Sequence, residues 1–137
     1  MKKRLLCALL LAAFLLPAPT FAAAPTVSEA ESPIVISKYQ DMKTATVKLT
    51  TSGKTATYDL KVTGSTAVTK ITATLQVQKK NSSGSYSNFG SSWSASANSR
   101  TLYTSGTKAV DSGGTYRLKA TITLHTKSGS SMETVYS

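Results

Sequence analysis

Cysteine and histidine are almost missing from this chain of 137 residues: Cys7 is the single thiol and His125 the single imidazole. Cys7 lies within residues 5–16, an unbroken apolar run that follows Lys2, Lys3 and Arg4 and stops at Pro17. A basic start, a short apolar stretch and the small residues that follow form the three-part pattern of a secretory signal peptide. The run is twelve residues long, well short of the roughly 20 that a helix needs to cross a bilayer. Signal peptidase requires small residues one and three positions before its cut. Cleavage after Ala22 or after Ala24 meets that requirement, but the second would place Pro25 just beyond the cut, so residues 1–22 are assigned to the signal. Cys7 sits near the start of the run behind Leu6, which is not where a lipid-modified cysteine stands. Mass spectrometry of culture medium is expected to find a chain that begins at Ala23 and carries no lipid. A mature species that still holds Cys7 would overturn the export reading.

The scarcity of these residues excludes chemistry as well as covalent staples. Without Cys7 the mature chain has no thiol for a disulfide or a metal site. A lone histidine builds neither a zinc centre nor a nucleophile–base pair with an evident second member. Acidic residues are also few, six in all. Asp59 alternates onto the same side as Lys48 and Lys61 and suits a cross-strand ion pair. Asp111 opens the turn sequence DSGG. No carboxylate pair of the glycosidase kind, no calcium loop and no phosphate-cradling glycine motif remains. The chain reads as a non-enzyme that needs no cofactor or metal. Asn81-Ser82-Ser83 matches a glycosylation acceptor, a pattern short enough to arise by chance.

Long helical periodicity is absent too, and alternation takes its place. Residues 23–33 are small, polar and locally acidic, and are expected to form a flexible leader ahead of one domain over residues 34–137. In TATVKLTTSGKTATYDLKV, a turn at Ser52 and Gly53 would set Ala45 opposite Leu60, Val47 opposite Tyr58 and Leu49 opposite Ala56. Ile71, Ala73, Leu75 and Val77 alternate in the next strand, and Trp93, Ala95 and Ala97 in a segment that starts at Tyr86. A short strand is expected around Leu102. The strongest pattern is YRLKATITLHT, with Leu118, Ala120, Ile122 and Leu124 inward and Arg117, Lys119, Thr121 and His125 outward. A three-residue loop of Lys127, Ser128 and Gly129 would then place Met132, Thr134 and Tyr136 opposite Leu124, Ile122 and Ala120. About seven antiparallel strands without crossover helices predict an all-β, two-sheet sandwich, because one sheet cannot cover its own apolar face.

DSGGTYRLKA, with Tyr116 after a glycine-bearing turn, resembles the late strand of immunoglobulin-like and fibronectin type III domains. The resemblance implies an immunoglobulin-like sandwich in which the Tyr116 hydroxyl ties back to the preceding corner. The cysteine pair of true immunoglobulin domains is missing. More loosely, LQVQKKNSSGSYSNFGSSWS, the TYRLKATITL strand and METVYS resemble small secreted proteins of Gram-positive bacteria grouped as a family of unknown function. That likeness covers residues 71–137 and implies a compartment and a fold but no activity.

Three of the sixteen Lys and Arg leave with the signal while all six Asp and Glu stay, so the mature chain carries +7. A positive surface favours anionic partners. Lys48, Lys61 and Lys119, with Arg117, would make one basic face if their strands share a sheet. Tyr86, Phe89 and Trp93 lie among serines behind Lys79 and Lys80, and could stack on sugar rings or pack as core. The reading is a secreted binding or structural module at the envelope or outside the cell, facing anionic polymers or acidic lipid headgroups, with no specific nucleic-acid partner. Its alternative is a cationic effector such as an antibacterial protein or toxin, although neither an amphipathic basic helix nor a disulfide core is present to support that.

Overall fold

The computed structural model describes residues 28–31 and 40–137. The expected signal peptide, its expected cleavage site and most of the expected leader lie outside them. Nine strands follow in order: β1 (Ser28–Glu31), β2 (Met42–Ser52), β3 (Thr55–Gly64), β4 (Val68–Lys80), β5 (Tyr86–Asn88), β6 (Trp93–Ala97), β7 (Thr101–Ala109), β8 (Tyr116–Thr126) and β9 (Gly129–Tyr136). One sheet runs β1-β2-β3-β7 and the other β5-β4-β8-β9, with β6 also paired to β4. Every pairing is antiparallel. The chain changes sheets between β3 and β4, between β6 and β7, and again between β7 and β8, the interleaved connection of an immunoglobulin-like sandwich. No helix among the described residues is long and apolar enough to cross a membrane.

The core follows the alternation. Val47, Leu60 and Val62 from the first sheet meet Ile71, Leu75, Leu118, Ile122 and Leu124 from the second, all nearly or wholly excluded from solvent. The strand count exceeds the expected seven for two reasons. Part of the expected leader, Ser28–Glu31, pairs with β2 as an edge strand. The segment from Tyr86 to Ala97 also breaks in two around Gly90, whose φ of 68° lies in the left-handed region. The break is held by Gln76, whose Nε2 donates to the carbonyls of Phe89 (3.1 Å) and Gly90 (3.2 Å).

Two hairpin registers differ from those the sequence predicts. In the first, Gly53 and Lys54 form the turn, so Ala45 faces Val62, Val47 faces Leu60 and Leu49 faces Tyr58. Gly53 takes the left-handed φ of 57° that this turn requires. The slip is two residues, which leaves every side chain on the face expected. In the second, Thr126 pairs with Gly129 across the two-residue loop Lys127-Ser128, so Leu124 faces Ser131, Ile122 faces Glu133 and Ala120 faces Val135. That slip is one residue and it exchanges the faces of β9. Met132 and Tyr136 therefore point outward, while Val135 is buried. The carboxylate of Glu133 faces the core side of this edge strand, with Oε2 buried and without a partner. Inward-pointing charge of this kind keeps an edge strand from recruiting another strand.

Candidate ligand-binding surfaces

The expected basic face divides in two. Lys48 on β2 and Lys61 on β3 belong to the first sheet, whereas Arg117 and Lys119 on β8 belong to the second. Packing the sheets face to face sends these groups to opposite sides of the molecule. Around Lys61, Tyr103 of β7 lies directly opposite and is 64% exposed, with its hydroxyl donating to Asp59 at 3.1 Å. Asp59 is also the cross-strand partner of Lys48. This side therefore carries a carboxylate in the midst of its lysines.

The three aromatic candidates divide as well. Phe89 and Trp93 pack against the core at the side where β6 approaches β7. Trp93 meets Tyr58 with ring centroids 4.9 Å apart, and Lys108 Nζ stands 4.2 Å from its ring centroid. Phe89 meets Tyr116 edge-on at 5.3 Å. Phe89 and Trp93, together with Gly90, Ser91 and Lys108, line a cleft of about 190 Å³. The rings are engaged by one another and by lysines, so they offer packing rather than flat faces for a sugar. Trp93 Nε1 is buried and finds no acceptor. Below the cleft the expected corner is present: the Asp111 amide donates to the Tyr116 hydroxyl at 2.8 Å and that hydroxyl donates to the Asp111 carbonyl at 3.2 Å. Lys79 closes the corner with an ion pair to Asp111 at 2.8 Å. The hydrogen bond to Asp111 holds the Lys79 ammonium above its ordinary pKa of 10.5, so its contribution is present at neutral pH and lost only as alkali passes that value.

Tyr86 lies on the outer face of the second sheet, and there the geometry is different. Arg117 Cζ is 4.1 Å from the Tyr86 ring centroid and 4.3 Å from that of Tyr136. The guanidinium is thus flanked by one ring from β5 and another from β9. Its Nε donates to Gln78 Oε1 at 2.9 Å, and Gln78 Nε2 donates to Asn88 Oδ1 at 3.0 Å. Gln78 is only 8% exposed and is the buried polar side chain among the described residues. The amide row fixes the arginine from below while the tyrosines fix it from the sides. Lys119 and Lys80 stand on the same face by strand alternation. None of the four carboxylates at positions 40–137 shares it: Asp41 precedes β2, Asp59 is on the other sheet, Asp111 is in the corner and Glu133 points inward. His125, farther along β8, lies 3.3 Å from Thr72 Oγ1. Among the described residues no three His, Cys, Asp or Glu side chains converge on a point that could hold a metal.

Arg117, Gln78 and Tyr86 are outward by simple alternation, but the cluster is hidden in the sequence because the expected register of β9, one residue off, puts Tyr136 inward. The readable signal was the two-residue loop Lys127-Ser128. Asn81, the apparent glycosylation site, is a turn former: its Oδ1 accepts from the amides of Ser83 (3.1 Å) and Ser85 (2.9 Å) and from the Ser83 hydroxyl (2.7 Å). No family model matches the chain, and no curated protein matches it either, so function is read from the geometry.

Proposed function

We propose that the chain is a secreted, non-enzymatic binding module that attaches to anionic polymers at the cell envelope or outside the cell, through the outer face of its second sheet. One observation supports this reading above the others: that face collects Arg117, Lys119 and Lys80 and carries no Asp or Glu side chain among the described residues, so no acidic side chain offsets its field. A flat sheet face with cations, amides and tyrosines offers an extended polymer both charge and hydrogen-bond partners. The opposite face carries Lys48 and Lys61 with Asp59 between their strands, and its field is correspondingly weaker.

Attachment of this kind depends on salt, because the Debye length shrinks from about 30 Å at 0.01 M to about 3 Å at 1 M. Purified envelopes should retain the mature domain at the low end of that range and release it at the high end. Charge reversal at Lys119 should weaken retention more than reversal at Lys61, with both variants folded. No retention at low salt, or retention that ignores salt, would reject the reading.

A further inference from the structure

The outer face does more than gather positive charge. We propose that Arg117 is a preorganised receptor for the phosphodiester groups of a polyol- or sugar-phosphate polymer, with Lys119 as its second cation. This assignment rests on the binding-module reading and names the chemistry of its ligand.

Four observations carry it. An exposed arginine ordinarily loses considerable side-chain freedom when it binds. Here much of that loss has already occurred, since the Tyr86 and Tyr136 rings lie 4.1 and 4.3 Å from the guanidinium and its Nε is bonded to Gln78 at 2.9 Å. Second, Gln78 is itself buried and tied to Asn88 at 3.0 Å, so the anchor beneath the arginine is rigid. Third, the Nε edge is occupied by the amide, which leaves the two Nη groups as the edge that can meet a ligand. No Asp or Glu side chain among the described residues neutralises them. Two N–H groups on one edge can both donate to one anion, a fork that lysine lacks. Fourth, Lys119 stands two residues along the same strand, about 7 Å away at ordinary strand rise.

The last point selects the anion. A planar carboxylate that lies flat against the Nη edge directs both oxygens along the guanidinium plane. A tetrahedral phosphodiester can give one free oxygen to the fork and turn the other toward a cation in the neighbouring row. The surroundings select a polymer over a lipid surface. Arg117 is bordered by tyrosines, amides and lysine, and Met132, 64% exposed, is the one exposed aliphatic side chain of large size among the described residues. A membrane-docking surface needs a larger apolar patch to insert.

The test compares the native mature domain with Arg117→Lys, which keeps the charge and removes the fork. The probes are a synthetic polyglycerol phosphate, a polyglutamate of equal charge and vesicles of phosphatidylglycerol, each at about 0.15 M salt. The native domain should bind the polyphosphate at least about tenfold tighter than either of the others, and Arg117→Lys should lose at least about tenfold on the polyphosphate alone. Undiminished binding by Arg117→Lys would show that the arginine is only a brace between strands and overturn the proposal. Equal affinity for polyglutamate, or tighter binding to vesicles, would overturn it as well. Should Arg117→Lys misfold, the native domain still decides: its Arg117 Nε–H resonance should shift on titration with dimethyl phosphate, and an unmoved resonance overturns the assignment. Envelope retention that is salt-sensitive but indifferent to Arg117→Lys would leave the module reading intact and remove this one. Tight polyphosphate binding through Arg117 without envelope retention would do the reverse.

Discussion

Ile122→Ala and Leu118→Ala are each expected to destabilise the domain by about 2–5 kcal/mol, whereas Thr121→Ala, between them, should cost no more than about 0.5 kcal/mol. Ile122 and Leu118 have no exposed surface and lie at the centre of the second sheet, bounded by β4 on one side and β9 on the other. Removing their methyl groups forfeits transfer free energy and leaves a void that two hydrogen-bonded sheets cannot close. Thr121 points outward, and its hydroxyl meets only that of Thr134 at 3.5 Å. Against a total stability of roughly 5–15 kcal/mol, either aliphatic truncation removes a large share. Urea denaturation followed by circular dichroism measures all three. Equal losses at Thr121 and Ile122 would mean that β8 is covered on both faces.

Gly114→Ala should cost about 1–3 kcal/mol even though the residue sits in the loop before β8, by forcing atoms into space already filled. A methyl group there would stand 2.6 Å from Tyr116 Cε2 and 2.8 Å from its hydroxyl oxygen, closer than any real contact. The ring cannot swing away freely, since it packs on Phe89 and its hydroxyl holds both backbone groups of Asp111. Tyr116→Phe alone should cost about 1 kcal/mol, the usual net value of such hydrogen bonds. If alanine acts by opening the corner, the second substitution has less left to remove. Tyr116→Phe in the Gly114→Ala background should then cost at least about 0.5 kcal/mol less than it does alone. Strict additivity would place the alanine's effect elsewhere.

The fold was legible because burial imposes a period of two on most of its strands. Ala45 to Leu49, Ile71 to Val77 and Leu118 to Leu124 all face where alternation puts them. The exception is instructive. Strand β7 runs from Thr101 to Ala109, yet only Leu102 could be read, because its later inward positions are Thr104, Gly106 and Lys108. Those positions are polar or bare since aromatics from other strands reach over them. A methyl group on Gly106 would stand 2.9 Å from the Tyr58 hydroxyl oxygen, and Lys108 covers the Trp93 ring. One strand's vacancy is another's side chain, and a single stretch of sequence does not record that exchange. The site was less legible than the fold for a related reason. Its members Tyr86, Gln78, Arg117 and Tyr136 come from four strands, so a one-residue error in any register dissolves it.

Trp93 turns the molecule into its own optical gauge. It is the single tryptophan, it belongs to one sheet, and both its ring partners, Tyr58 and Lys108, belong to the other. Light absorbed by Tyr58 passes to Trp93 most efficiently while the sheets stay packed together, and the ammonium above the indole shifts its emission only while β7 stays beside β6. The fluorescence of this chain therefore reports the parting of two layers, and a sheet that frays from its far edge at β9 would do so in the dark.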